Sequence, residues 1–475
     1  MIDATDLVVS PGFIDAHVHA DLALLANPHM EGLVTQGVTS VILGQDGLGY
    51  APGSSSTTSF MATYAAGING PAWPGVGWTT VRGYLRALDS GTVHNAAFLV
   101  PHGCVRMEIM GLSDRIATDN ELLKMSDMVD HGIGDGAIGV STGLHYIPAA
   151  HADGRELIAL GLGARGTVYV THMRDYESGR DEALQESIEV GRLARCRVHI
   201  SHLNMRPTEG LPAIEQARSM GIDVTYDTYP YLYGMTLLTR ILPISLSSIP
   251  PAELVRELRD PTTRASLSTF LESPERAWAT KRLGSIVATE YQDLEGLTID
   301  EAARVRGSSV TDIVCDVLVA CNLEVAVIGS RHHRQNEVDV EGLMRHEAHV
   351  FGSDGIFAGA MTHPRGYGTF ARILGEYVRD RGVLELETAI EHMTSRTAAI
   401  FGLTRRGRLA VGYHADVVIF DPATIKATAT FDKPQGRAEG VEHVFVNGVP
   451  VIRGRALTGA LPGRAIRGAA SGRAA

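Results

Sequence analysis

The stretch PGFIDAHVHA, residues 11–20, is a short apolar run that ends in two histidines one residue apart. Side chains at positions i and i+2 of a strand point to the same face of the sheet, so His17 and His19 can present their imidazoles to one point in space. Imidazole nitrogen is a common zinc ligand. The stretch therefore predicts a strand that carries part of a metal site.

Working outward, the chain alternates short apolar runs with amphipathic segments such as residues 181–195 and 211–220. The apolar runs end at polar or glycine residues and are predicted to be strands at residues 8–15, 38–43, 96–100, 137–140, 168–171, 198–201, 224–227 and 350–353. A strand followed by a helix, repeated about eight times, predicts a parallel (β/α)₈ barrel. The reactive groups of such a barrel lie at the carboxyl ends of its strands.

Imidazole and carboxylate side chains follow several of these predicted strands. They are His17 and His19 after the first strand, Asp46 after the second, His172 after the fifth, His202 after the sixth and Asp354 after the last. Zinc accepts both kinds of ligand, and a catalytic site keeps one position open for water. Six candidate ligands are too many for one tetrahedral ion and suit two.

The charge and composition of the chain exclude some classes of binding partner. The 475 residues carry a net charge of -12 with scattered basic residues, which argues against nucleic acid or an anionic membrane as a partner. No basic flank with an apolar core opens the chain, no run of about 18 apolar residues occurs, and the four cysteines lack CxxC spacing. We therefore expect a cytoplasmic protein that acts on a small molecule.

The combination of these motifs resembles the amidohydrolase superfamily and, within it, the D-aminoacylase (N-acyl-D-amino-acid deacylase) branch. The matching segments are PGFIDAHVH (11–19), QGVTSVILGQDG (36–47), VSTGLHY (140–146), VTHMRDY (170–176), ISHLN (200–204), DTYPY (227–231), GSDG (352–355), HPRGYGTF (363–370) and GYHADVVIFDP (412–422). The first segment alone indicates only the superfamily. Its combination with GSDG, HPRGYGTF and YPY is specific to the branch.

The resemblance implies a zinc hydrolase with one or two ions that removes an acyl group from an N-acyl amine, above all an N-acyl-D-amino acid or a derivative. It implies that His17, His19, His172, His202 and Asp354 are metal ligands. Asp354 would also be the general base, taking a proton from the attacking water and passing it to the leaving nitrogen.

Asp46 departs from the branch, whose best-known pattern has a cysteine at this position as the ligand shared by both metals. A carboxylate can bridge two ions through its two oxygens and, being harder than a thiolate, tolerates divalent metals other than zinc. Other amidohydrolases bridge with a carbamylated lysine from the fourth strand, but residues 137–146 contain no lysine. The bridge is therefore either Asp46 or absent, and we favour Asp46.

Two further departures concern the residues that hold the α-carboxylate of the substrate in the branch. Tyr229 is retained, whereas Asn204 replaces a lysine and Met235 replaces a serine. An unpaired buried carboxylate is costly, so either another cation such as Arg240 or Arg174 compensates, or the substrate lacks the carboxylate.

Three more side chains are predicted to face the substrate. His145 follows the fourth strand, while His363 and Arg365 lie just past the last strand. His363 and Arg365 either anchor the substrate or hold Asp354 in position without contacting the substrate.

The predicted domains are a remnant of a small β-domain at 1–10, the barrel at 11–405 in which residues 244–346 contain a lid-like insertion, the small β-domain at 406–462 and a disordered tail at 463–475. Because the chain starts about ten residues before PGFID, we expect an N-terminally shortened β-sandwich. Its exposed strand edges would need cover, which makes a homo-oligomer possible.

Two other functions stay open at this stage. A cyclic amidase that opens a lactam, imide or hydantoin ring would use the same ions without a carboxylate clamp. A barrel that has lost activity and serves as a binding or assembly subunit is suggested only by the short start and by Asp46.

Overall fold

Eighteen strands are seen in the computed structural model, which describes residues 2–70, 75–273, 276–331 and 334–469. In chain order they are β1 (Val8–Pro11), β2 (Phe13–Asp15), β3 (Val18–His19), β4 (Val38–Leu43), β5 (Asn95–Pro101), β6 (Gly139–Gly143), β7 (Val168–His172), β8 (Arg197–Ile200), β9 (Val224–Thr228), β10 (Tyr233–Leu237), β11 (Lys281–Ile286), β12 (Val325–Ser330), β13 (His349–Phe351), β14 (Gly355–Ile356), β15 (Val417–Phe420), β16 (Val441–Val446), β17 (Val449–Arg453) and β18 (Ala456–Leu457).

Eight of these strands confirm the predicted barrel. They are parallel neighbours in the order β2, β4, β5, β6, β7, β8, β9 and β13. The ring closes where the Ala16 N–H donates to the Phe351 carbonyl at 3.2 Å. Both faces of β4 and β5 are buried, as expected for strands enclosed between a filled barrel and its helices.

The first predicted strand is wrong in one respect, because residues 8–15 divide between two sheets. β1 pairs antiparallel with β15 of the small domain, whereas β2 pairs with β4 of the barrel. Gly12 lies at the change of sheet, and a Cβ there would come within 2.3 Å of the Thr39 side chain. A glycine is required because the backbone passes so close to the second barrel strand.

Helices surround the barrel, and the predicted segments at 181–195 and 211–220 are confirmed as Arg180–Ala194 and Pro207–Ser219. The other α-helices outside the insertion are Ala23–Ala26, Glu31–Val34, Ser55–Tyr64, Ala66–Asn69, Val81–Leu88, His102–Met110, Asp119–Asp135, Gly154–Gly163, Glu337–Met344, Arg365–Arg372, Leu386–Met393 and Ser395–Ile400. A π-helix, Ile373–Asp380, continues the helix Arg365–Arg372.

The long segment between β9 and β13 forms a unit with its own apolar core. Its sheet has the antiparallel order β10, β12, β11, and its α-helices are Ile244–Ser247, Pro251–Glu257, Pro261–Leu271, Ile299–Arg306 and Val310–Ala320. The unit begins before the stretch 244–346 that is predicted to contain it. The sheet already begins at Tyr233, and Glu337–Met344 packs into the barrel core instead.

This insertion lies over the barrel mouth. Met235 and Leu237 of β10 share an apolar cluster with Leu48 and Tyr146, which follow the second and fourth barrel strands. The shared packing fixes the insertion against the ends of the strands. Its action as a lid stays a prediction.

The small domain is a five-stranded antiparallel sheet in the order β1, β15, β16, β17, β18, and no second layer is seen among the described strands. The tail does not begin at residue 463 as predicted, because the following residues bond to the barrel. The Gly463 N–H donates to the Thr92 carbonyl at 2.8 Å, and the Ala96 N–H donates to the Arg464 carbonyl at 3.0 Å. Residues 470–475 lie outside the described residues.

Within the described ranges, no helix is long and apolar enough to cross a membrane.

Candidate metal centre and substrate pocket

The six predicted ligands meet at the carboxyl ends of the barrel strands, although His17 lies in the break between β2 and β3 and not within a strand as predicted. β3 pairs with β14, and the Asp354 N–H donates to the His17 carbonyl at 2.7 Å. Asp46, His202 and Asp354 have positive φ angles of 56°, 34° and 49°. Residues in this sparsely populated region cluster at functional sites, where the surrounding structure holds them in place.

Asp46 lies at the centre of the cluster. Its Oδ1 is 3.5 Å from His17 Nε2, and its Oδ2 is 3.5 Å from His19 Nε2, 3.2 Å from His172 Nδ1 and 3.6 Å from His202 Nε2. One carboxylate therefore faces four imidazoles with both of its oxygens.

Asp354 faces the first two histidines from the other side. Its Oδ1 is 3.3 Å from His19 Nε2 and 3.7 Å from His17 Nε2. Its Oδ2 is 2.8 Å from Nη1 of the fully buried Arg365. One oxygen is therefore directed at the histidines while the other is held by a guanidinium.

The spacing of these atoms fits a metal site. Two overlapping groups each place three ligand atoms within 4.8 Å of one another. One group is His17, Asp46 and His202, and the other is His17, His19 and Asp354. Two ligands about 2.0–2.1 Å from one tetrahedral zinc ion lie roughly 3.3 Å apart, close to the observed separations. His17 Nε2 and Asp46 Oδ1 are buried without a hydrogen-bond partner among the described residues. A divalent cation would satisfy both atoms.

The electrostatics also favour a cation. Burial alone would lower the pKa of His17, but the charges of Asp46 and Asp227 raise it to about 10. Burial alone would raise the pKa of Asp46, but the His17 and His172 charges hold it well below its ordinary value. Against the effect of burial, the pKa of His19 is also raised by Asp354 and Asp46, whereas burial lowers the pKa of His172 to about 4. A divalent cation can take the place of the protons that the carboxylates draw onto His17 and His19.

Asp227 and Asp15 position the ligands, and sequence reasoning did not assign either residue a role. Asp227 Oδ2 is 3.5 Å from His17 Nδ1, and its Oδ1 accepts the His202 N–H at 3.0 Å. Asp15 Oδ1 accepts the backbone N–H groups of His17 at 3.2 Å and Ser353 at 2.8 Å. Asp227 lies near the carboxyl end of β9, so the rule that selected the six ligands would also have found it.

The predicted substrate residues Asn204 and Tyr229 line a small cavity beside His202, which in this structure is too narrow to admit a water molecule. Arg331 and Gln335, which the sequence did not single out, also line it. The Tyr229 ring lies between two guanidinium groups, with the Arg331 and Arg365 carbons each 4.6 Å from the ring centroid. This arrangement links the cavity to the residue that holds Asp354.

Comparison with known proteins identifies the family, because residues 1–452 match the model of the amidohydrolase family. The chain belongs to this family. It is 36% identical over 467 residues to a D-aminoacylase of Alcaligenes xylosoxydans xylosoxydans, covering 96% of this chain and 87% of that protein.

Solved structures show the same likeness. An N-acyl-D-glutamate deacylase from Bordetella bronchiseptica, complexed with zinc and a phosphonate inhibitor, has a TM-score of 0.81 at 30% identity. A D-aminoacylase structure has a TM-score of 0.79 at 33% identity. Each comparison covers 98% of this chain and 90% of the other.

In this amidohydrolase, His145 lies against a predicted ligand. Its Nδ1 is 3.1 Å from His172 Nε2, while His172 Nδ1 faces Asp46. If His172 binds metal through Nδ1, its Nε2 carries the hydrogen and donates to His145. Such a contact fixes the tautomer and orientation of a ligating histidine, so the geometry favours a positioning role over the predicted contact with substrate.

The two cations proposed to compensate for the missing lysine differ. The Arg174 guanidinium is 3.0 Å from Glu186 and donates to the Ala150 and Ala152 carbonyls, so its donors are already used and this candidate is set aside. Arg240 is half-buried, and among the described residues no carboxylate pairs with it. Its charge contributes to lowering the pKa of His145, which places it near the mouth.

His363 and Met235 support the substrate side of the barrel. The Arg365 N–H donates to His363 Nδ1 at 3.0 Å, and His363 Nε2 is 3.1 Å from the Tyr233 carbonyl. The Met235 sulfur is 3.6 Å from the Thr362 hydroxyl. These contacts tie the segment bearing Arg365 to the insertion sheet.

Proposed function

We propose that this chain is a metal-dependent amidohydrolase that removes the acyl group of an N-acyl-D-amino acid. The observation that carries the proposal is the central position of Asp46, whose oxygens lie 3.2–3.6 Å from four histidines at the barrel mouth. The D-aminoacylase and N-acyl-D-glutamate deacylase relatives support this choice of substrate.

His17, His19 and Asp354 would hold one divalent ion, His172 and His202 a second, and Asp46 would lie between them. Zinc is the proposed metal, since a zinc complex is known for the deacylase relative. A bound divalent ion supplies polarisation of the amide carbonyl and a water of lowered pKa. The carboxylate at position 46 should also accept harder divalent metals.

Asp354 is the proposed general base and acid. Its Oδ1 is directed at His17 and His19, where the attacking water would lie, and it can take the proton of that water. The same oxygen then delivers the proton to the nitrogen that leaves the acyl carbon. Arg365 holds Oδ2 and so keeps Oδ1 facing the reaction.

The setting of the enzyme is also a proposal. We propose a cytoplasmic location, which is supported by four buried cysteines that form no disulfide. A homo-oligomer stays a prediction.

The test is turnover of N-acetyl-D-amino acids, their L-enantiomers and cyclic amides by purified protein, with metal content measured on the same sample. We expect hydrolysis of the linear D-compounds, loss of activity on chelation and recovery with zinc. Turnover of hydantoins or lactams alone would replace the proposal with the cyclic amidase. Bound metal without turnover of any amide would favour the binding subunit.

A further inference from the structure

Four arginines are buried among the described residues: Arg106, Arg331, Arg365 and Arg406. Three of them form ion pairs with buried carboxylates, namely Arg106 with Glu156, Arg365 with Asp354 and Arg406 with Asp416. Arg331 is 7% exposed, and no carboxylate of the described residues pairs with it. A buried charge without a partner is costly, so the exception needs an explanation.

The contacts of Arg331 hold its guanidinium in place without neutralising it. Its Nη2 donates to the Tyr231 carbonyl, and its backbone N–H donates to the Leu232 carbonyl at 2.8 Å. The guanidinium carbon stacks on the Tyr229 ring, and Nε is buried without a hydrogen-bond partner among the described residues. The side chain is therefore oriented, charged and only partly satisfied.

The cavity lined by Arg331 lies beside the proposed metal centre, because His202 lines it as well. Asn204 also lines the cavity and carries no charge. Relatives in the D-aminoacylase branch are expected to have a lysine at that position. Arg331 follows β12 of the insertion and supplies a positive charge to the same cavity.

Resting on the proposed function, we propose that Arg331 binds the carboxylate of the substrate. Its planar guanidinium suits a carboxylate, which would supply the anion that the described residues do not once the narrow cavity opens to admit it. The substrate class is then N-acyl amino acids with a free carboxylate, and neutral amides or cyclic imides are poor substrates. Arg240 is a weaker candidate because it is not among the residues that line this cavity.

The experiment compares an N-acetyl-D-amino acid with its carboxamide, which differs only in the charge under test. Arg331→Met should raise KM for the acid by about 100-fold, since a charge-assisted hydrogen bond contributes about 1.5–3 kcal/mol. KM for the carboxamide should change by less than about threefold. Arg331→Lys should recover part of the affinity for the acid.

Two controls keep the result interpretable. Arg256→Met alters a largely exposed arginine of the same insertion and should leave both KM values unchanged. Unchanged turnover of the carboxamide and unchanged metal content show that Arg331→Met is folded.

Moving the charge tests the location directly. Asn204→Lys should rescue the acid in the Arg331→Met background, because the ammonium enters the same cavity, but should not improve the enzyme that keeps Arg331. Equal effects of Arg331→Met on acid and carboxamide would overturn the inference and leave the proposed function intact. A wild-type enzyme that hydrolyses no N-acyl compound would overturn both.

Discussion

The metal cluster and the Arg331 cavity share His202 but balance their charges differently. In the cluster, Asp46 and Asp354 lie within 4 Å of several imidazoles, and Arg365 pairs with the second carboxylate. In the cavity, a buried guanidinium has no carboxylate among the described residues. A bound cation would satisfy the unpaired ligand atoms of the cluster, whereas a bound anion would pair with the guanidinium in the cavity.

The largest expected effect tests the role of Asp354. Asp354→Asn should lower kcat by about 10³-fold, because the amide cannot accept the proton of the attacking water. Elemental analysis should still find metal, since His17 and His19 remain. Asp432→Asn, an exposed change in the small domain, is the matched control and should keep full activity. Undiminished turnover by the Asp354 variant would exclude this residue as the base.

The next effect concerns the bridge within the cluster. Asp46→Ala should reduce bound metal from about two ions per chain to about one, because the first site would keep His17, His19 and Asp354 whereas the second would keep only His172 and His202. Asp46→Cys is the informative control, since a thiolate at this position should retain both ions and bind zinc more selectively. Metal content measured by elemental analysis decides the matter. An unchanged stoichiometry in the alanine variant would show that Asp46 is not a ligand.

A smaller effect is expected at the edge of the cluster. His145→Leu removes the acceptor of the His172 Nε2–H and should weaken metal binding by about 10-fold. His145→Asn keeps an acceptor and should retain most of the affinity. Competition with a chelator measures both variants. Equal loss in the two variants would mean that His145 acts by packing and not through this hydrogen bond.

A last effect concerns stability and not activity, and it sharpens the contrast with Arg331 because it involves a buried base that can give up its charge. Burial lowers the pKa of His94 to about 4, below the ordinary value of 6.5 for the unfolded chain. The unfolded state therefore binds the proton more readily, and stability falls as the pH drops from 6.5 towards 4. From pH 8 to pH 5 this histidine should cost about 2 kcal/mol.

Urea unfolding of wild type and His94→Gln at both pH values measures that loss. The variant should lose about 2 kcal/mol less than wild type between pH 8 and pH 5. Parallel losses in the two proteins would show that His94 does not carry the effect.

Much of the cluster follows from local pattern. The six candidate ligands were found because parallel strands of one barrel all end at the same face, so the residue after each strand identifies a position in space. The same rule would have selected Asp227, had it been applied to β9. His145 was placed at the mouth correctly, but its contact with His172 depends on side-chain orientation and is not visible in the spacing.

Arg331 could not be found in this way. It follows a strand of the insertion, whose sheet joins β10, β11 and β12 from distant parts of the segment. Neither its burial nor its stacking on Tyr229 has a sequence signature, and the two cations suggested in its place were Arg174 and Arg240. Arg174 proved to be held by Glu186.

The amino-acid sequence by itself determined the barrel, the family and the set of ligand-type residues, because strand periodicity and strand-end chemistry are local properties of the chain. The tertiary structure alone decided that residues 8–15 divide between two sheets, that Asp46 lies among four histidines, and that Arg331 has no carboxylate partner in the part of the chain that the structure describes. These features depend on which distant segments come into contact, and burial and charge balance are defined only after the chain has folded.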